Sequence, residues 1–87
     1  MDSYNLFFKA SAEKELRRIP KPYLSKIIQK IESLPKQPRP HGVQMLCGDD
    51  GLYRLRQVDY RIVYEINDRE RKITLVKIGH RREVYER

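Results

Sequence analysis

Two neighbouring segments, Leu52 to Val58 and Tyr60 to Ile66, alternate in character residue by residue. A period of two belongs to a β-strand with one buried face, and it decides which side chains share that face. In the first segment Tyr53 and Leu55 point one way and Arg54 and Arg56 the other. In the second, Tyr60, Ile62, Tyr64 and Ile66 form one face, and Arg61, Val63 and Glu65 the other. Ile73 to Ile78 is nearly continuous apolar sequence, broken by Thr74 and Lys77, and reads as a strand interior to a sheet. Asn67 to Arg71 is a polar hairpin loop between the last two segments. The pattern predicts an antiparallel meander with one apolar face and one face that presents arginine.

The residues before the meander supply its cover. Tyr4 to Phe8 is short and apolar on both faces, which suits a strand covered on two sides or by a partner. Ala12, Leu16 and Ile19 recur at helical spacing, with Ser11 as the expected N-cap. Pro20-Lys21-Pro22 ends that helix and opens the next, because proline lacks an amide but is tolerated in a first turn. Leu24, Ile27, Ile28, Ile31 and Leu34 make the second apolar stripe. The very short link predicts an antiparallel helical hairpin. Pro35 to Pro40 (PKQPRP) excludes helix and central strand and reads as a crossover to the sheet. Val43 to Leu46 is a short apolar segment, and Gly48-Asp49-Asp50-Gly51 a turn. The expected fold is α+β in two layers: an N-terminal strand, an antiparallel helical hairpin, then a three-stranded antiparallel meander joining one sheet.

The 87 residues are enough for one domain, 1–87, and too few for two. A formal net charge of +7 in so small a chain favours an anionic partner, with nucleic acid ahead of an acidic protein or a membrane surface. Cys47 is the only cysteine. It rules out an internal disulfide and suits a reducing cytoplasm, and after an apolar run it reads as a buried thiol. No stretch approaches membrane-spanning length, so no membrane role is expected.

Arg54, Arg56 and Arg61 on one face form a phosphate-binding surface, since guanidinium is permanently charged and binds phosphate through a planar fork. Lys77 and Arg82 add further positive charge for RNA. The chain closes on Gly79-His80-Arg81-Arg82-Glu83-Val84-Tyr85, with Gly79 expected to end the last strand. His80 exchanges a proton near neutral pH and is the candidate for proton transfer. Tyr85 can stack on an unpaired base. His41 and His80 stand far apart in sequence without clustered carboxylates, so neither a metal site nor any other cofactor is expected. Chemistry on RNA would then use the substrate's 2′-hydroxyl against the adjacent phosphate, with the protein positioning groups, stabilising charge and moving protons.

At these residues the chain resembles the RelE family of toxins from bacterial and archaeal toxin–antitoxin pairs. The likeness runs through Ala12-Glu13-Lys14-Glu15-Leu16, Leu52-Tyr53-Arg54-Leu55-Arg56, Asp59-Tyr60-Arg61-Ile62-Val63-Tyr64 and Ile78-Gly79-His80-Arg81-Arg82-Glu83-Val84-Tyr85. It implies an endoribonuclease that enters the ribosomal A site and cleaves mRNA, leaving a 2′,3′-cyclic phosphate and a 5′-hydroxyl. By the same resemblance Arg54 serves the RNA, Arg61 stabilises the phosphate in the transition state, Arg81 assists the leaving oxygen and Tyr85 stacks on a base. The implied partners are the ribosome with its mRNA and a cognate antitoxin that lays an acidic, helical segment on the toxin. Operator DNA would be reached only through the antitoxin complex.

Three positions depart from the family pattern. Leu52 stands where some members carry a catalytic lysine, Gln44 is the nearest match to a glutamate used by others, and Val58 replaces a glycine before the Asp-Tyr-Arg motif. The general base is therefore open, with His80 as first candidate. Two alternatives remain: a ParE-like toxin of the same fold that inhibits DNA gyrase, and a catalytically weak nucleic-acid-binding relative.

Overall fold

One five-stranded sheet carries everything else in the chain. The computed structural model describes residues 3–46, 51–57 and 59–80. In order along the chain these are β1 (Asn5–Phe8), α1 (Ala10–Arg17), α2 (Lys21–Ser33), β2 (Gln44–Met45), β3 (Leu52–Gln57), β4 (Tyr60–Asn67) and β5 (Lys72–His80). The strands lie in the order β1-β5-β4-β3-β2. The expected meander is β3-β4-β5, each pair antiparallel, and β5 is interior as its apolar run predicts. Two features were not legible. β1 pairs parallel with β5, and Val43 to Leu46 contributes a two-residue strand, β2, on the far edge.

The alternating pattern sorts the two faces. Tyr53, Leu55, Ile62, Tyr64, Ile66, Ile73, Leu75 and Ile78 are buried together with Ala12 and Ile19 of the first helical segment and with Ile27, Ile31 and Leu34 of the second. Burying one such aliphatic side chain is worth about 1.5–3 kcal/mol, so this cluster dominates the stability. The hairpin rests on the sheet and not mainly on itself: α1 packs along β5 and α2 along β3. Ser11 does not cap α1. The helix starts two residues earlier than a Ser11 cap would place it, after Lys9, and the Ser11 hydroxyl donates instead to the Val76 carbonyl, 3.5 Å away. Pro22 does sit in the first turn of α2.

β1 stops at Phe8 while β5 runs on to His80, and α1 takes over as the neighbour of the bare β5 edge. Beside the Ser11 contact, the Glu15 carboxylate accepts the Ile78 amide proton at 2.8 Å and the Lys77 ammonium at 3.0 Å. An edge amide that would otherwise lack a partner is thereby satisfied. Gly79 lies within β5 and is buried, so it does not end the strand as expected. On the outer side of β1, Phe7 is 46% exposed, with the Lys72 ammonium 5.4 Å from its ring centre.

The Pro35–Pro40 crossover is held down by polar anchors. Tyr64 is fully buried and its hydroxyl donates to the Pro38 carbonyl at 2.8 Å. Arg39 donates from Nε to the Tyr53 hydroxyl and through Nη2 to Asp68, at 3.0 and 2.9 Å. The Tyr4 hydroxyl closes the set on Asp68 at 2.6 Å. The Arg39 hydrogen bond, followed by that from Tyr4, holds the Asp68 carboxyl below the usual range, while burial pushes the Tyr64 phenol up. Arg39 thus has a structural role, in keeping with a plain crossover.

Candidate phosphate-binding groove

Strand register organises the face turned away from the helices into rows, since directly paired residues project to the same side. One row is Gln44, Arg54, Val63 and Lys77, crossing β2, β3, β4 and β5. The next is Arg56, Arg61 and Gly79. A third, toward the other end, holds Leu52, Glu65, Thr74 and Phe7. Arg54, Arg56 and Arg61 are therefore neighbours, as the alternation predicts.

Their environments differ. Arg61 is only 3% exposed, which the sequence did not suggest. Gly79 beside it has no side chain, which leaves room for the arginine stem. Among the described residues no buried side-chain nitrogen or oxygen lacks a hydrogen-bond partner, so the Arg61 guanidinium is satisfied in place. Arg54 is half-buried and donates to the side-chain oxygen of Gln44, its cross-strand partner. Arg56 is exposed. Val63, also buried, stands between Arg54 and Lys77 in its row.

These residues open into a groove of about 510 Å³ lined by Lys30, His41, Gly42, Gln44, Arg54 to Gln57 and Arg61. Lys30 comes from α2, His41 and Gly42 from the loop before β2, and the rest from β2, β3 and β4. Four permanent cations line it, and no carboxylate does among the described residues. Such a set repels itself and is relieved by an anion lying between its members. The arginine forks suit the non-bridging oxygens of a phosphodiester.

The structure separates two expected contributors from the groove. His80 pairs with Tyr60, whose side chain packs on the helix side of the sheet. The two rings meet edge to face at 5.6 Å, beside a smaller cavity of about 140 Å³ also lined by Glu15, Arg18 and Ile19. His80 is thus on the opposite side of the sheet from Arg54, Arg56 and Arg61. Lys77 shares their face but reaches back to Glu15 over the β5 edge. Arg81, Arg82 and Tyr85, like Cys47 and Val58, lie outside the described residues.

Sequence reasoning passed over His41. It occupies the second position of a tight turn, Pro40 to Val43, closed by a 3.1 Å bond from the Val43 amide to the Pro40 carbonyl. Gly42 follows at φ 91°, and among the described residues Arg71 is the only non-glycine with positive φ, so the turn has the negative-then-positive signature of type II. Proline two residues ahead of glycine is the signal that could have announced it. No cluster of three His, Cys, Asp or Glu side chains occurs among the described residues, and no described helix is long and apolar enough to cross a membrane.

A small helical hairpin on a mixed sheet, with a cationic groove at the β3 side lined both from α2 and from the arginine face, defines an α+β protein suited to a polyanion. The chain belongs to the family described as ParE toxin of type II toxin–antitoxin system, parDE, whose sequence profile it matches over residues 6–85. It is similar to toxin RelG of Mycobacterium tuberculosis, with 24% identity across 97% of this chain and 98% of that one. It is similar also to toxin RelE of the same organism, with 27% identity across 94% and 86%. Among solved structures, the RelE–RelB complex of Pyrococcus horikoshii contains a chain that superposes with TM-score 0.81 and 27% identity, covering 91% of this chain and 96% of that one. The intact Escherichia coli RelBE toxin–antitoxin complex matches with TM-score 0.79 and 24% identity, over 90% and 96%. The protein is a toxin of a type II toxin–antitoxin pair of the RelE/ParE superfamily, with a RelE-like α+β fold.

Proposed function

We propose that this toxin is a metal-independent endoribonuclease that cleaves mRNA in the ribosomal A site. The observation that carries the reading is the groove itself: Arg54, Arg56, Arg61 and Lys30 line it together, with no acid among the described lining residues. Arg61 is the electrostatic centre. It is held rigidly by burial, so its charge needs little reorganisation when the phosphorane-like transition state gathers negative charge on the non-bridging oxygens. Arg54, oriented by Gln44, and Arg56 at the rim bind the flanking backbone. The similarity to toxins named RelE supports this chemistry, and the resemblance carries Arg81 to the leaving oxygen and Tyr85 to a base. The RelE–RelB complexes among its structural neighbours support neutralisation by a cognate antitoxin, whose acidic helical segment would offset the toxin's positive charge. Operator DNA would be reached through that complex, and the site of action would be cytoplasmic, where ribosomes are.

The test is cleavage of mRNA in a translating extract, read by primer extension, with metal chelated. Cuts that need ribosomes and fall about 10²–10³-fold in Arg61→Ala support the reading, since that is the worth of one preorganised oxyanion donor. Unimpaired cleavage by that variant would sink the site. A second reading is favoured by the family description, which is that of ParE: the same fold directed at DNA gyrase. Inhibition of gyrase supercoiling by the purified protein, with mRNA left intact, would establish it instead.

A further inference from the structure

A 2′-hydroxyl is a poor nucleophile until it loses its proton, and cations alone do not remove one. Among the residues that line the groove, Lys30, Arg54, Arg56 and Arg61 are charged donors with no acceptor, and Gln44 and Gln57 do not titrate. His80 is on the other side of the sheet, against Tyr60. Among the described lining residues that leaves His41, whose imidazole can both accept and release a proton.

We propose that His41 is the proton acceptor of this toxin, a role that rests on the nuclease reading above. The imidazole nitrogen takes the proton of the 2′-hydroxyl. The 2′-oxygen then bonds to the adjacent phosphorus, the bond from phosphorus to the 5′-oxygen breaks, and the departing 5′-oxygen takes up a proton from solvent. His41 later returns its proton to water, which reaches it because the residue is exposed. Its position is set by the backbone. The turn from Pro40 to Val43 puts His41 at a corner, and the chain passes directly from there into β2, whose Gln44 orients Arg54. The base and the arginine beside it are carried on one short stretch. The charged groups that share the groove with His41 are Lys30 from α2, Arg54 and Arg56 from β3, and Arg61 from β4.

The experiment is single-turnover cleavage of mRNA on purified, programmed ribosomes across about pH 6–8.5, the span in which imidazole changes charge. It uses unaltered protein, His41→Gln, His41→Ala with and without free imidazole, and His80→Gln. The expected result is an acid limb in the unaltered protein that His80→Gln keeps and His41→Gln loses. His41→Gln should lower kcat by about 10²-fold or more with KM little changed, the size of a general-base contribution. Free imidazole should restore part of the activity of His41→Ala. Because His41 is exposed on a turn, the His41 variants should melt with the unaltered protein. Cleavage by His41→Gln at the unaltered rate overturns the role, and so does a change confined to KM, which would make His41 a binding group. Transfer of the acid limb's loss to His80→Gln overturns it as well. If the unaltered protein does not cut at all, the nuclease reading falls and takes this role with it.

Discussion

Glu15 gives the sharpest test of how the end of β5 is held. Its carboxylate accepts the Ile78 amide at 2.8 Å and the Lys77 ammonium at 3.0 Å. Glu15→Ala leaves the amide without a protein partner. A stranded amide costs about 1–3 kcal/mol, and the lower half applies because this edge is only partly buried and water can enter. The Lys77 pair adds about 0–1 kcal/mol, since both side chains touch solvent. The expected loss is about 1.5–2 kcal/mol, which in a domain of this size lowers Tm by roughly 6–15 °C. Glu15→Gln retains an acceptor oxygen for the amide, so it should cost about 1 kcal/mol at most. Lys77→Met removes only the ion pair and should cost about 0.5 kcal/mol or less. Urea unfolding of the three variants measures the order, and amide exchange at Ile78, accelerated in Glu15→Ala alone, locates it. Equal losses for Glu15→Ala and Glu15→Gln, or a Lys77→Met loss as large as that of Glu15→Ala, would show that the amide is not what Glu15 holds.

Gly51→Ala should destabilise the protein by about 1–3 kcal/mol, because φ is +74° there and a Cβ would stand 2.6 Å from the Ile66 carbonyl oxygen; unfolding within error of the unaltered protein refutes this. Arg61→Met keeps the buried stem but removes the charge and strands its hydrogen-bond partners, so cleavage should fall about 10²–10³-fold and stability by about 1–3 kcal/mol. Unfolding of that variant in buffer would instead assign Arg61 to the fold. The Asp68 carboxyl is held low by Arg39 and Tyr4, so its contribution to stability is present above the ordinary carboxylate range and is lost as pH falls through its lowered folded value. Asp68→Asn should therefore flatten the acid side of the Tm–pH curve, and an unchanged slope counts against the linkage.

The two faces of the meander were legible because a period of two leaves no freedom about which residues share a side. Tyr53, Leu55, Ile62 and Tyr64 went inward and Arg54, Arg56 and Arg61 outward as read. Both helices were legible from their apolar spacing and the prolines between them. What could not be read depends on contacts between distant parts of the chain. The burial of Arg61 comes with its cross-strand neighbours, Arg56 on β3 and Gly79 on β5. The parallel seating of β1 and the clamp of Glu15 on Ile78 depend on how far β1 extends along β5. His80 was read as the proton-transfer candidate from its chemistry and its place in a basic cluster. The irregular register between Val63 and Tyr64 shifts the phase of β5, so that Lys77 joins the arginine face and His80 the helix face. A single β-bulge moves a whole strand end from one side of a sheet to the other, and composition carries no sign of it.

The same geometry shows how the cations of the groove are accommodated. Arg61 has its partners inside the protein, and Arg54 has Gln44. The cost of assembling like charges is met during folding, by the apolar core on the opposite face. Under the nuclease reading proposed above, a phosphate entering the groove would meet donors already aimed, and its binding would be spent on stabilising charge and not on ordering side chains. The stretch from Pro40 to Met45 is then more than an edge. Its turn sets His41, its two-residue strand sets Gln44, and Gln44 sets Arg54. A change at Gly42, where an added Cβ meets nothing within 4 Å but φ is +91°, would strain that chain of support without touching the core.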